Sequence, residues 1–148
     1  MDLRNRHRRE RSGAAGTVSK GYMLDWYNGW SPEQRLATVP VQSEALNTGT
    51  LLRPTRCSVC GFDRRKQPGT TNRVWLHNED YGDPLATYAV CRLCHWALHE
   101  RFDHPAPWLA IVERHGTGSQ WFERLSMDPG SKRRPFLATY PDGLPYPV

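Results

Sequence analysis

Four cysteines and three histidines of this 148-residue chain have the types and spacing of metal ligands. Cys57-Ser58-Val59-Cys60 and Cys91-Arg92-Leu93-Cys94 are two C-x2-C pairs separated by thirty residues. A two-residue spacer lets both thiolates of a pair reach one ion from a tight turn or a helix start. Four thiolates then complete a closed tetrahedral zinc site. Gly61, directly after the first pair, suits such a knuckle, where positive φ is common. The second pair is predicted to open an amphipathic helix over 91–102, with its thiolates near the positive helix end. Two disulfides are the alternative pairing. No apolar secretory segment follows Met1, so a reducing, cytoplasmic setting and hence zinc is the expectation.

His95 and His99 are four residues apart on that helix, on one face, and can point at one ion. His77 closes the preceding predicted strand, next to Asn78-Glu79-Asp80. The three imidazoles are therefore candidates for a second, open site, because three protein ligands with free positions is the pattern of a catalytic ion. The plainer alternatives are a hydrogen bond from His95 into the thiolate shell and a merely polar role for His99.

Several elements must position these groups. A hairpin is predicted from strands at 73–77 and 87–90, joined across the turn sequence Tyr81-Gly82-Asp83-Pro84. Knuckle, hairpin and ligand-bearing helix together make a treble-clef finger over 55–103. Upstream, 1–20 reads as a disordered basic arm and 21–54 as a helical extension. Within the extension, Tyr22, Trp26, Tyr27 and Trp30 pack on the core or stack on bases. Ser31-Pro32-Glu33-Gln34 opens a helix to about residue 38, and Pro40 should kink or end it. A second helical piece over 41–46 should stop at Asn47-Thr48-Gly49. Downstream, 104–130 should hold two helices. Pro105-Ala106-Pro107 breaks the chain, residues 108–115 are helical, and Ser119 caps a short helix through Leu125. Asp128-Pro129-Gly130 turns the chain into an extended Pro-rich tail over 131–148. The fold class is thus α+β: a small zinc finger with flanking helices and extended basic and Pro-rich tails.

Composition agrees with a metal-stapled domain. Hydrophobic residues make up 38% and mean hydropathy is -0.71, with 12 glycines and 12 prolines, so the core should be small. Transmembrane spans, coiled coils and solenoids are excluded by the absence of long apolar runs, heptads and repeats. The net charge is +5 and the pI about 9.3, carried mostly by arginine. Arg4, Arg6, Arg8, Arg9 and Arg11 form one cluster, Arg64-Arg65-Lys66 a second and Lys132-Arg133-Arg134 a third. Such clusters are either solvated or matched to a polyanion.

The run Cys57-x2-Cys60, Leu76-His77-Asn78-Glu79-Asp80-Tyr81-Gly82-Asp83-Pro84-Leu85 and Cys91-x2-Cys94-His95-x3-His99 resembles the zinc-bearing HNH endonuclease family. The resemblance covers 55–103, about a third of the chain. It implies the ββα-metal variant of the treble clef, a structural zinc on the four cysteines, and Mg²⁺ or another divalent ion at His77, His95 and His99. It implies hydrolysis of phosphodiesters in double-stranded DNA, with Arg64, Arg65, Lys66, Arg73, Arg92 and Arg101 as candidate phosphate contacts. The family's general-base histidine falls at Asn78, which cannot take a proton, and its loop-bracing asparagine falls near Ala86. Glu79 or Asp80 could substitute as base or as ligand. The alternatives to a nuclease are a cleavage-deficient module that docks DNA or a protein, and a structural zinc subunit of a larger assembly. A DNA-binding form would be nucleoid-associated.

Overall fold

The computed structural model describes residues 24–145. The predicted basic arm at 1–20 and Tyr22 lie outside the described residues, as do 146–148. The fold is a small mixture of helices around a two-stranded sheet. Among the described residues, no helix is long and apolar enough to cross a membrane.

Helix α1, Pro32–Leu36, starts at a reciprocal capping box. The Ser31 hydroxyl accepts from the Gln34 amide at 3.2 Å, and the Gln34 side chain accepts from the Ser31 amide at 2.9 Å. Helix α2, Thr38–Thr48, follows after a break at Ala37 and ends at Gly49 with φ 80°. The predicted interruption at Pro40 is therefore misplaced. Pro40 sits in the first turn of α2, where its missing N–H has no intrahelical partner to lose.

Strands β1, Val74–His77, and β2, Tyr88–Cys91, pair antiparallel with Val74 opposite Cys91 and His77 opposite Tyr88. Both strands are largely buried, so neither alternates cleanly. Helix α3, Arg92–Glu100, begins at once, with Cys91 as its N-cap residue. Helix α4 spans Pro105–His115. Pro105 and Pro107 were expected to break the chain, but they form its first turn, the one helical place that tolerates them. Ser119 does not cap a helix. The Glu123 carboxylate instead accepts from the Gly118 amide at 2.8 Å, and Trp121–Arg124 is a 3₁₀ turn. The tail is also not simply extended. Phe136–Thr139 forms helix α5, because Phe136 and Tyr140 are buried and pack with tilted rings, centroids 5.2 Å apart.

An unforeseen turn lies at the start. Tyr27 and Trp30 exchange two backbone hydrogen bonds of 3.0 Å around Asn28-Gly29, whose φ values are 51° and 89°. That is the hairpin turn that the Asn-Gly dipeptide favours. A single buried cluster unites Tyr27, Val90, Leu98, Trp108, Trp121, Phe122 and Leu125 with Cys57, Cys91 and Cys94. The flanking segments are thus part of the same core as the hairpin.

Candidate metal centres

The Cys57–Cys60 knuckle is built by backbone hydrogen bonds. The Cys57 amide donates to Phe62 O at 2.8 Å, and the Gly61 amide donates to Cys57 O at 3.0 Å with Gly61 at φ 79°. The Ser58 amide donates to Ala89 O at 2.7 Å, which fixes the knuckle against β2. The end of β2 and the first turn of α3 bring in Cys91 and Cys94. None of the four forms a disulfide, and their sulfurs lie within 4.8 Å of one another. Cys60 and Cys91 are 3.7 Å apart. Hydrogen bonds from Cys57, Cys60 and Cys94 draw the Cys91 thiol below its ordinary value. This set can hold a metal ion as a closed four-thiolate site.

The ligand nitrogens of His77, His95 and His99 also lie within 4.8 Å of one another. Strand β1 delivers His77 and one face of α3 delivers the other two, whose Nε2 atoms are 3.0 Å apart. His77 and His95 are fully buried, and His99 is half-buried. Burial holds His95 and His99 well below the usual imidazole value, so both offer neutral lone pairs. A cleft of about 170 Å³, lined by Asp25, Trp26, Tyr27, Arg35, Lys132 and others, reaches His99.

The carboxylate Glu79 lies beside this cluster, 1% exposed. Its Oε2 meets His77 Nε2 and accepts from the Tyr27 hydroxyl at 2.6 Å. Its Oε1 accepts from Asn28 Nδ2 at 3.1 Å. Arg101 donates to the Tyr27 oxygen at 3.0 Å, to Leu98 O at 2.9 Å and to Ser126 O at 2.8 Å. Burial raises the Tyr27 hydroxyl well above its ordinary value, so it keeps its proton.

Asn78 is buried and turned away from the imidazoles. It donates to Pro84 O at 3.2 Å and Ala86 O at 3.1 Å, and its oxygen accepts from Gln42 of α2. Asn78 therefore braces the 84–86 loop. Exchanging Asn78 for histidine should not create a base. It should unfasten the 84–86 loop and leave Gln42 Nε2 with Pro84 O as its remaining acceptor, lowering stability by about 1–3 kcal/mol in a urea melt. An Asn78→His protein of unchanged stability would contradict this placement.

No family model, curated protein or solved structure matches the chain.

The basic residues divide into two groups. Arg64, Arg65, Lys66, Arg73 and Arg92 are exposed around the knuckle and hairpin entry. Arg65 is tied to Asp63 by a 3.1 Å ion pair. Arg101, grouped with them on sequence, is 0% exposed and cannot meet a phosphate backbone. The reason is its position after α3, where it crosses the core toward Tyr27 and Ser126. Tyr27, Asn28 and Gln42 were not foreseen as site residues. Only the Asn28-Gly29 turn signal could have located the first two; Gln42 carries none.

Proposed function

We propose that this chain is a zinc-stabilised treble-clef finger of the ββα-metal kind that binds nucleic acid and hydrolyses its phosphodiester bonds. Cys57, Cys60, Cys91 and Cys94 would hold the structural zinc. His77, His95 and His99 would hold Mg²⁺, Mn²⁺ or a similar divalent ion. The observation that supports this reading is the convergence of three imidazoles, from a strand end and a helix face, beside a four-thiol knuckle. An ion held there supplies Lewis acidity to the scissile phosphate and to the departing oxygen. Exposed Arg64, Arg65, Lys66, Arg73 and Arg92 would carry the phosphate backbone, a sequence-independent and salt-sensitive contribution.

With Asn78 turned inward, the usual place of a general base is vacant of one. Such a base is typically worth 10²–10⁴ in rate, so hydrolysis should be slow. The same inward Asn78 favours a second reading, a finger that binds DNA or a protein without cleaving.

A supercoiled-plasmid nicking assay with Mg²⁺, Mn²⁺ or Ni²⁺ decides between them. The expected result is weak, ion-dependent nicking that falls at least about 100-fold in His77→Ala and His99→Ala, with the thiolate zinc retained. Nicking indifferent to both substitutions would remove the proposed active site. Salt-sensitive DNA binding without nicking under any ion would establish the second reading.

A further inference from the structure

A carboxylate withdrawn from water is costly unless both its oxygens find donors. Glu79 meets that demand with groups brought from far away in the sequence. Tyr27 and Asn28 come from the turn about fifty residues upstream, and Arg101, from beyond α3, donates in turn to the Tyr27 oxygen. Asn28 is the one non-glycine residue with positive φ among the described residues, at 51°. Its backbone is held in that less common region while its side chain reaches both Glu79 Oε1 and, at 2.9 Å, Glu79 O.

The directions of these hydrogen bonds are fixed by chemistry. Arg101 can only donate, so the Tyr27 oxygen accepts from it and turns its own O–H to Glu79 Oε2. Asn28 donates through Nδ2 to Oε1. Glu79 is therefore an acceptor at both oxygens, and His77 Nε2 must carry the imidazole proton and donate it. The other nitrogen of His77, Nδ1, is buried and has no hydrogen-bond partner among the described residues. A fully buried imidazole nitrogen without a hydrogen-bond partner is suited to bind a metal ion.

We propose that Glu79 is the positioning residue of the divalent-ion centre, holding His77 in the Nε2–H tautomer and leaving Nδ1 as its donor atom. This rests on reading the histidine cluster as a metal centre. In that role Glu79 is neither a ligand nor the water-activating base, because its oxygens are committed to His77, Tyr27 and Asn28. Tyr27 and Arg101 act through it, one step further from the ion. Carboxylate–histidine–metal arrangements of this kind typically contribute about 10–100-fold in metal affinity.

The test uses the full chain with its four-thiolate site already filled with zinc, titrated with Co²⁺ and followed by visible absorption. Glu79→Gln is expected to weaken Co²⁺ binding by about 10–100-fold with unchanged band positions, and Tyr27→Phe to weaken it less. The wild-type protein gives an independent readout by ¹⁵N NMR after Zn²⁺ is added to the second site. His77 should show a metal-shifted Nδ1 and a protonated Nε2, whatever the stability of the variants. Equal affinity of Glu79→Gln and wild type, band positions that change in the variant, or a metal-shifted Nε2 would each overturn the positioning role. The histidine centre itself would survive those results. Wild-type protein that takes up no second ion would overturn both.

Discussion

Cys91→Ser, or removal of the metal by a strong chelator, should unfold this protein rather than soften it. Cys91 is simultaneously the last residue of β2, the N-cap of α3 and a member of the four-thiol set. Metal in a structural four-thiolate site contributes about 10–16 kcal/mol at neutral pH. Whole domains are stable by only about 5–15 kcal/mol. Loss of one thiolate therefore removes an amount comparable with the whole margin. The expected signature is loss of near-ultraviolet circular dichroism and of dispersed amide resonances, with the metal content falling from one tightly held zinc to none. The thiolate-bound zinc should also resist Mg²⁺ and Mn²⁺ competition, since thiolates suit zinc and hard cations prefer oxygen. A Cys91→Ser chain that melts cooperatively at the wild-type temperature would mean the cysteines are ordinary buried thiols.

Arg101→Met should give the second-largest effect, and one on stability rather than on nucleic-acid binding. The guanidinium is fully buried, lies 4.2 Å from the Phe102 ring and joins Tyr27, Leu98 and Ser126. Removing it leaves Glu79 without the buried cation that balances it through Tyr27, and takes from Ser126 O its guanidinium donor. Breaking one partner of such a buried charged network costs about 3–5 kcal/mol. At roughly 3 °C per kcal/mol for a domain of this size, the melting temperature should fall by about 10–15 °C. Arg64→Ala provides the contrast. It should change stability by less than about 0.5 kcal/mol while lowering the salt dependence of DNA binding by about one phosphate contact. An Arg101→Met protein as stable as wild type but weaker on DNA would return Arg101 to the surface role its sequence neighbours suggested.

The contrast between these two arginines shows where sequence reading reaches its limit. Arg92 and Arg101 have the same composition context and lie on the same helical segment. Nine residues separate them, so they project in different directions, and one of those directions faces a core built partly by residues 24–30. Nothing local distinguishes a solvated arginine from one that crosses a core. The distinction arises only when Tyr27 and Ser126 are brought to the same place.

The same logic applies to the loops and caps. The capping box at Ser31, the stop at Gly49 and the turn at Asp128 are satisfied within a few residues, and each is where the local residues placed it. Pro40, Pro105, Ser119 and the Pro-rich tail went differently, because their outcome depended on position within a turn or on burial. Pro105 begins a helix because its missing N–H costs nothing at that position. The tail coils into α5 because Phe136 and Tyr140 find the core.

The sequence by itself determined which side chains could hold a metal: two C-x2-C pairs and an i, i+4 histidine pair set the candidate ligands and their local spacing, since turn and helix geometry act over only a few residues. Tertiary structure alone decided what surrounds those ligands. Asn78 became a loop brace, and Glu79 was enclosed by Tyr27, Asn28 and, through Tyr27, Arg101. Those partners lie six to seventy-four residues apart, and a hydrogen bond across such separations is specified only by the packing that brings its two ends together.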